Sequence, residues 1–224
     1  MGSRRLILRT STAIGAVALA FGVAAERPAR ALAMASDVQD AEPLAHARQI
    51  RAEVDSHYRR SHGPRLAVTE ASSTAVIDSF TLFSGLAEEP RVLPAANGIY
   101  YAVCPIGATC PYPGRRAQPA TAFLPRRAAL ELAVRTFLET SADLVAVSLP
   151  TARFVLLILE RDDVLGNVDA AALRDMLAVD PATAPDNPLR RLVDQLTRPY
   201  LFVPWALVPV SDTRETILAS RLLH

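Results

Sequence analysis

The chain has 224 residues, half of them hydrophobic, and carries 24 basic side chains against 23 acidic ones. Every basic side chain is arginine, since the sequence contains no lysine. The absence of lysine excludes Schiff-base catalysis by lysine, lysine-linked pyridoxal phosphate and nucleotide binding by a phosphate loop.

The first residues follow the order of a secretory signal peptide, which runs from charged to apolar to small residues. Three arginines precede the apolar stretch 13–25, and Ala33 and Ala35 follow it at small-residue cleavage sites. The apolar stretch is shorter than the ~20 residues that a membrane-spanning helix needs. We therefore expect residues 1–33 to be a cleavable signal peptide that takes the protein out of the cytoplasm. A permanent anchor is the weaker alternative.

Segment 3–9 resembles the twin-arginine export motif, with Arg4 and Arg5 as the paired arginines before a large apolar pair. Arg27 and Arg30 lie beside the cleavage region, where a general secretory signal usually avoids positive charge. Other Arg-Arg pairs occur later in the chain, so the general secretory route stays open. Either route predicts an extracellular or cell-envelope location.

Removal of residues 1–33 changes the charge of the protein. It takes away five arginines and Glu26, which leaves 19 Arg against 22 Asp or Glu and a net charge of −3. Binding to nucleic acids requires a strongly basic surface, so we expect no nucleic-acid partner. Residues 34–43 are small and polar and predict a flexible lead-in, and residues 44–224 have the length of one globular domain.

The first half of the domain begins with a helical pattern and changes to β-rich texture. Apolar residues recur at helical spacing over residues 44–62, before Gly63 and Pro64 end the pattern. β-Branched and aromatic runs then predict three strands, the second of which could also be a buried helix. These runs cover residues 66–70, 75–83 and 99–104.

A proline-rich loop over residues 104–125 leads into the clearest helix pattern, at residues 125–141. Pro125 suits the first turn of this helix, where the missing N–H costs nothing. Glu131 and Arg135, and then Arg135 and Glu139, are spaced to pair on its outer face. Two apolar runs at residues 144–149 and 153–160 follow, and they predict a central hairpin.

The last part alternates between helical and extended patterns. Asp169 can cap one helix, and Asn187 with Pro188 can start another. Residues 201–210 are extended, and their two prolines predict an edge strand. Asp212 with Glu215 resembles a capping box for a last helix. The sequence thus predicts one α+β domain with about five helices on a mixed or mainly antiparallel sheet.

Cys104 and Cys110 are the two cysteines of the chain, and both are followed by proline. In an exported protein this pair predicts a disulfide that shapes the proline-rich loop. Free thiols and a metal or redox role are the alternatives, although zinc would need two more ligands. We expect no metal site and no cofactor.

Few residues suit catalysis. His62, at the predicted end of the first helix, is the best candidate for a general base, and Asp162 and Asp163 form an acidic pair after a buried strand. A solvated surface position is the plainer interpretation for all three residues. His57 lies five residues before His62, which does not match the i, i+4 spacing of a helical metal pair.

The densest basic cluster joins the proline-rich loop to the start of the next helix. It comprises Arg115, Arg116, Arg126 and Arg127, with Tyr112 nearby. A helix start favours anions, and arginine binds carboxylate and phosphate groups with two hydrogen bonds. We expect a shallow anion-binding pocket at this place, although solvated arginines would give the same pattern.

Two functions compete at this point. The first is an exported, non-catalytic binding or interaction domain whose partner is an anionic small molecule, a peptide or an envelope polymer. The second is an exported hydrolase that uses His62 or an acidic pair as its base. The scarcity of histidine and the absence of lysine favour the binding domain.

Overall fold

The computed structural model describes residues 42–60, 66–85, 88–105, 122–151, 154–166, 168–183 and 185–222. These residues form an α+β domain with five α-helices and an eight-stranded mixed sheet. None of the helices in these ranges is both long and apolar enough to cross a membrane. The predicted signal peptide, with Arg4 and Arg5, lies outside the described residues and stays a prediction.

Helices and strands alternate irregularly along the chain. The helices are α1 (Glu42–Arg60), α2 (Phe123–Glu139), α3 (Arg161–Leu165), α4 (Ala170–Leu177) and α5 (Asn187–Thr197). The strands are β1 (Leu66–Ser73), β2 (Ile77–Phe83), β3 (Arg91–Pro94), β4 (Gly98–Pro105), β5 (Leu144–Leu149), β6 (Val155–Glu160), β7 (Leu201–Pro209) and β8 (Glu215–Arg221). Their order across the sheet is β1-β4-β5-β6-β7-β8-β2-β3.

The predicted central hairpin is present as β5 and β6. The two strands are antiparallel and pair from Leu144 opposite Glu160 to Leu149 opposite Val155. Only β4 with β5 and β2 with β8 run parallel, so the sheet is mixed. Every side chain of β5 is buried, as expected for a strand that is covered on both faces.

Each face of the sheet carries its own hydrophobic core. The helices cover one face, where α1 and α2 contribute most of the buried side chains. On the other face the sheet curls, so that Phe80 of β2 and Leu93 of β3 pack with Tyr100 of β4 and Ile158 of β6. An ion pair between Arg91 of β3 and Glu160 of β6 joins the two parts of the curled sheet.

Helix α2 lies in the middle of the helical layer. It contacts the sheet, α1, α4 and α5, and nearly all of its side chains are buried. Small residues such as Ala128, Ala129 and Ala133 allow this close approach. The buried set also includes the charged residues Arg126 and Glu131, which a helix on the protein surface would expose to water.

The predicted last helix is wrong, because residues 215–221 form strand β8. This strand lies between β7 and β2 and pairs with both. Ile217 and Ala219 are buried while their neighbours are not, which is the two-residue period of a strand. Backbone pairing on both sides outweighs the local capping pattern of Asp212 and Glu215.

The predicted edge position of the proline-containing strand is also wrong, because β7 lies between β6 and β8. The pairing with β6 involves only Leu201 and Phe202, so it ends before Pro204. The pairing with β8 is irregular between Pro204 and Ala206. The strand therefore accommodates a residue without an N–H group although it is not an edge strand.

Gly98 begins β4 at a crowded point, and its replacement tests the packing there. Gly98→Ala should lower the free energy of unfolding by about 1–3 kcal/mol. A Cβ atom would collide with Thr74 Oγ1 and press on Leu144 and on the Ala95 carbonyl. Denaturant titration measures the change. Gly85→Ala is the control, because its nearest atoms lie 3.9 Å away, and equal stability of the two variants would contradict the prediction.

Candidate functional site

Four ionisable side chains meet where α1 packs against α2. His57 and Tyr58 lie in the last turn of α1, and Arg127 and Glu131 lie one turn apart on α2. The i, i+4 spacing puts Arg127 and Glu131 on the same side of their helix. We call these four residues the buried polar cluster.

His57 and Glu131 form the direct contact of the buried polar cluster. His57 Nδ1 lies 3.2 Å from Glu131 Oε1, and the Glu131 side chain is only 7% exposed. The predicted pairing of Glu131 with Arg135 on an outer face is wrong, because α1 covers that side of α2. Arg135 instead pairs with Glu139, as predicted, and also with Glu53 of α1.

Tyr58 is completely buried beside this contact. Burial, next the charge of Glu131, and least a side-chain interaction with Glu131 raise the pKa of the Tyr58 hydroxyl well above its usual value, although the hydroxyl has no hydrogen bond of normal geometry. Arg127 acts in the opposite direction, so it also lies within electrostatic reach of the hydroxyl. The hydroxyl therefore keeps its proton and remains a hydrogen-bond donor.

Arg127 connects the cluster to the end of α4. Its Nη2 donates to the carbonyl of Leu177 at 3.1 Å and to the carbonyl of Val179. The last carbonyls of a helix lack partners within the helix and carry partial negative charge, which a guanidinium neutralises. Arg127 thus fixes the position of the segment that follows α4.

The cluster contains every buried side-chain atom that lacks a hydrogen-bond partner in the described part of the chain. These atoms are the Tyr58 hydroxyl oxygen, Arg127 Nε and Glu131 Oε2. Native proteins leave few buried polar groups unpartnered, because each one costs free energy. Three such atoms on neighbouring residues single this place out from the rest of the core.

Two openings lie next to the cluster, and residues of the segment that follows α4 line both of them. The first, which we call the His57 groove, has a volume of about 770 Å³ and is lined by Ala52, Glu53, Ser56, His57, Arg60, Ala178 and Asp180. The second, which we call the Arg127 pocket, has a volume of about 160 Å³ and is lined by Arg127, Met176, Val179, Thr183, Pro185, Asp186 and Leu189.

Arg126 has a different place from its neighbour Arg127. It is buried and donates to Thr197 Oγ1 at 2.8 Å and to Asp194 Oδ1 at 2.6 Å, which joins α2 to α5. Burial lowers the pKa of Arg126, and the carboxylate of Asp194 opposes this shift. Its guanidinium is therefore engaged inside the domain. The other members of the predicted anion pocket, Arg115, Arg116 and Tyr112, lie outside the described residues.

Two of the three predicted catalytic candidates, Asp162 and Asp163, lie in the described part of the chain. Asp162 and Asp163 begin the short helix α3, where Asp163 pairs with Arg91 at 3.2 Å. His62 lies outside the described residues. No group of three or more His, Cys, Asp or Glu side chains in the described ranges could hold a metal ion.

Cys104 lies in β4 and is buried. It is disulfide-bonded. Cys110 lies outside the described residues, so the geometry of the predicted loop remains a prediction.

No pattern in the sequence directly indicates the contact between His57 and Glu131. His57 precedes Tyr58, which belongs to the periodic apolar face of α1, so it lies at the border of that face. Glu131 follows Leu130 and precedes Leu132, and in a helix that is buried on all sides this position faces a neighbour. The enclosure of α2 by other elements would have indicated that Glu131 has a partner. This enclosure follows from tertiary packing and not from the residue pattern of α2 itself.

Comparison with known proteins yields no relative from which a function could be inferred. No protein family matches the chain, and no curated protein or solved structure matches it either. The function therefore has to be argued from the residues of the site.

The unpartnered hydroxyl of Tyr58 can be tested against a partnered one. Tyr58→Phe should raise the free energy of unfolding by about 1 kcal/mol, because it removes a buried donor without a partner. Tyr101→Phe should lower it by about 1 kcal/mol, because the Tyr101 hydroxyl lies 2.7 Å from Thr136 Oγ1. Denaturant titration of both variants measures the difference. Equal destabilisation would show that Tyr58 is satisfied like Tyr101.

Proposed function

We propose that the protein is an exported binding domain that holds a small, negatively charged ligand at the buried polar cluster. The observation that carries the proposal is the concentration of unpartnered buried polar atoms in this one place. A ligand with complementary groups would satisfy these atoms, and the free energy gained would favour binding. Both openings border the cluster, since His57 lines one and Arg127 lines the other.

The chemistry of the unpartnered atoms defines the ligand. Arg127 Nε and the neutral Tyr58 hydroxyl are donors, and they suit the oxygens of a carboxylate or phosphate. Glu131 Oε2 is an acceptor and suits a hydroxyl or amino group. The expected ligand is therefore a small acid that also carries a hydrogen-bond donor, such as a hydroxy acid.

Access to Arg127 requires a movement of the protein. Arg127 is fully buried and donates to the carbonyls of Leu177 and Val179. A ligand can reach Nε only when the segment between α4 and α5 moves outward from the Arg127 pocket. This segment is short, and Pro181 is the one buried residue among those of it that the structure describes, so few buried contacts oppose the movement.

The proline-rich loop completes the proposal. Arg115 and Arg116, with Tyr112, would add positive charge and an aromatic surface beside the start of α2. A disulfide between Cys104 and Cys110 would restrict the loop and reduce the entropy lost on binding. The order of the first 35 residues supports export, which also provides the oxidising environment that a disulfide needs.

The export route can be tested in a host that has both pathways. Changing Arg4 and Arg5 together to Lys should abolish export and leave folded protein in the cytoplasm, because the twin-arginine pathway requires the arginine pair. Mass spectrometry of the exported wild type should show a chain that begins after Ala33 or Ala35. Normal export of the double variant would support the general secretory route, and exported protein that retains Met1 would contradict cleavage.

The binding proposal is tested through Arg127 with the mature protein and a panel of small hydroxy acids and inorganic phosphate. Arg127→Lys keeps the positive charge but loses Nε, so binding should weaken at least tenfold, which is about 1.4 kcal/mol. Isothermal titration calorimetry measures the affinity. Arg115→Ala and Arg116→Ala test the contribution of the loop in the same assay.

Arg214→Lys is the matched control, because Arg214 is an exposed arginine far along the chain and lines neither opening. The affinity of the Arg214→Lys variant for the acid should equal that of the wild type. Equal affinity of the Arg127 and Arg214 variants, or no binding of any acid by the wild type, would contradict the proposal. Circular dichroism shows whether each variant is folded.

A further inference from the structure

The orientation of His57 suggests an activity that goes beyond ligand binding. A carboxylate can only accept a hydrogen bond, so His57 Nδ1 carries the proton in its contact with Glu131 Oε1. This contact favours the tautomer with the proton on Nδ1, which leaves Nε2 at the other edge of the ring as a proton acceptor. The His57 side chain is 25% exposed and lines the His57 groove.

Glu131 is suited to assist proton transfer at His57. It is almost fully buried, so water screens its charge poorly, and a positive charge on the neighbouring imidazole is stabilised. A buried carboxylate that holds a histidine by Nδ1 and stabilises the imidazolium is the arrangement that activates histidine as a base in hydrolases. The carboxylate itself does not take up the proton.

Charged side chains line the His57 groove beside the imidazole. Arg60, one turn of α1 from Ser56, donates to the Ser56 hydroxyl, and both residues line the groove with His57. Glu53 forms an ion pair with Arg135 of α2. Asp180, which follows α4, also lines the groove. Among the described residues that line the groove, Arg60 is therefore the cation that could stabilise negative charge on a substrate oxygen.

We propose that the His57 groove hydrolyses carboxylic esters, with His57 as the general base and then the general acid. His57 Nε2 takes a proton from a water molecule, whose oxygen forms a bond to the ester carbonyl carbon. Arg60 stabilises the negative carbonyl oxygen of the tetrahedral intermediate. The bond to the alcohol oxygen then breaks, His57 Nε2 returns the proton to this oxygen, and acid and alcohol leave. The step consumes one water and requires no oxidant, metal or cofactor.

The test uses the mature protein, p-nitrophenyl acetate as the substrate and His57→Gln as the variant. The proposal predicts that kcat/KM falls at least tenfold in His57→Gln. His46→Gln is the matched control, because His46 is an exposed histidine of the same helix outside the groove, and its kcat/KM should stay unchanged. Free imidazole also cleaves this substrate, so the comparison of the two histidine variants is decisive.

Glu131→Gln separates an assisting role from a merely structural one. This variant should lower kcat more than it changes KM. The pH at which the rate reaches half of its maximum should also shift. The charged groups that face His57 are Glu131 of α2, Glu53 and Arg60 of α1, and Asp180 after α4. The wild-type reaction should be slower in D₂O, and this difference should disappear in His57→Gln, because proton transfer by His57 is then absent.

Equal loss of activity in His57→Gln and His46→Gln, or no loss in either, would overturn the proposal. So would a wild-type rate no higher than that of the uncatalysed reaction. If His57→Gln fails to fold, ¹⁵N chemical shifts of the wild-type imidazole decide the question. A neutral ring with its proton on Nδ1 supports the proposal, and a proton on Nε2 overturns it.

Discussion

The position of α2 is the constraint on which the arrangement of the helical layer depends. This helix is enclosed by the sheet, α1, α4 and α5, yet it carries three charged side chains in its buried part, at positions 126, 127 and 131. Burying a charge costs free energy unless the charge finds a partner. The neighbouring helices therefore supply the partners: α5 supplies Asp194 and Thr197, the end of α4 and the chain just beyond it supply the carbonyls of Leu177 and Val179, and α1 supplies His57.

The pairing of Arg127 also positions a segment that lines both openings. Arg127 holds the chain just beyond α4 through the carbonyls of Leu177 and Val179, and residues of this segment line the His57 groove and the Arg127 pocket. In the proposed binding, a ligand reaches the buried Arg127 only after this segment moves, whereas His57 lines its groove without any movement. The two proposed activities therefore share Glu131 of α2 but use different openings.

The sequence predicted the parts of the fold that depend on local periodicity. The α1 and α2 helices, the β5–β6 hairpin, the cap of α4 and the start of α5 at Asn187 follow from spacing and capping residues, and the Asp169 side chain does accept from Ala171 and Ala172. The prediction failed for β7 and β8, whose state depends on pairing with distant strands. The prediction of the site failed for the same reason, because the local pattern places Glu131 on the surface of α2 and only packing against α1 buries it.

The buried charged side chains of α2 differ in how completely they are hydrogen-bonded, and this difference indicates a role for the buried polar cluster. Arg126 is paired with Asp194 and Thr197, as expected for a contact that only holds two helices together. Apolar side chains of similar volume often stabilise a core as well as or better than a buried ion pair does. Arg127, Glu131 and Tyr58 each leave a buried atom without a partner, so they cost more stability than Arg126 does. Such a cost is characteristic of residues that are arranged for a ligand or a reacting proton, and His57 links these residues to the surface.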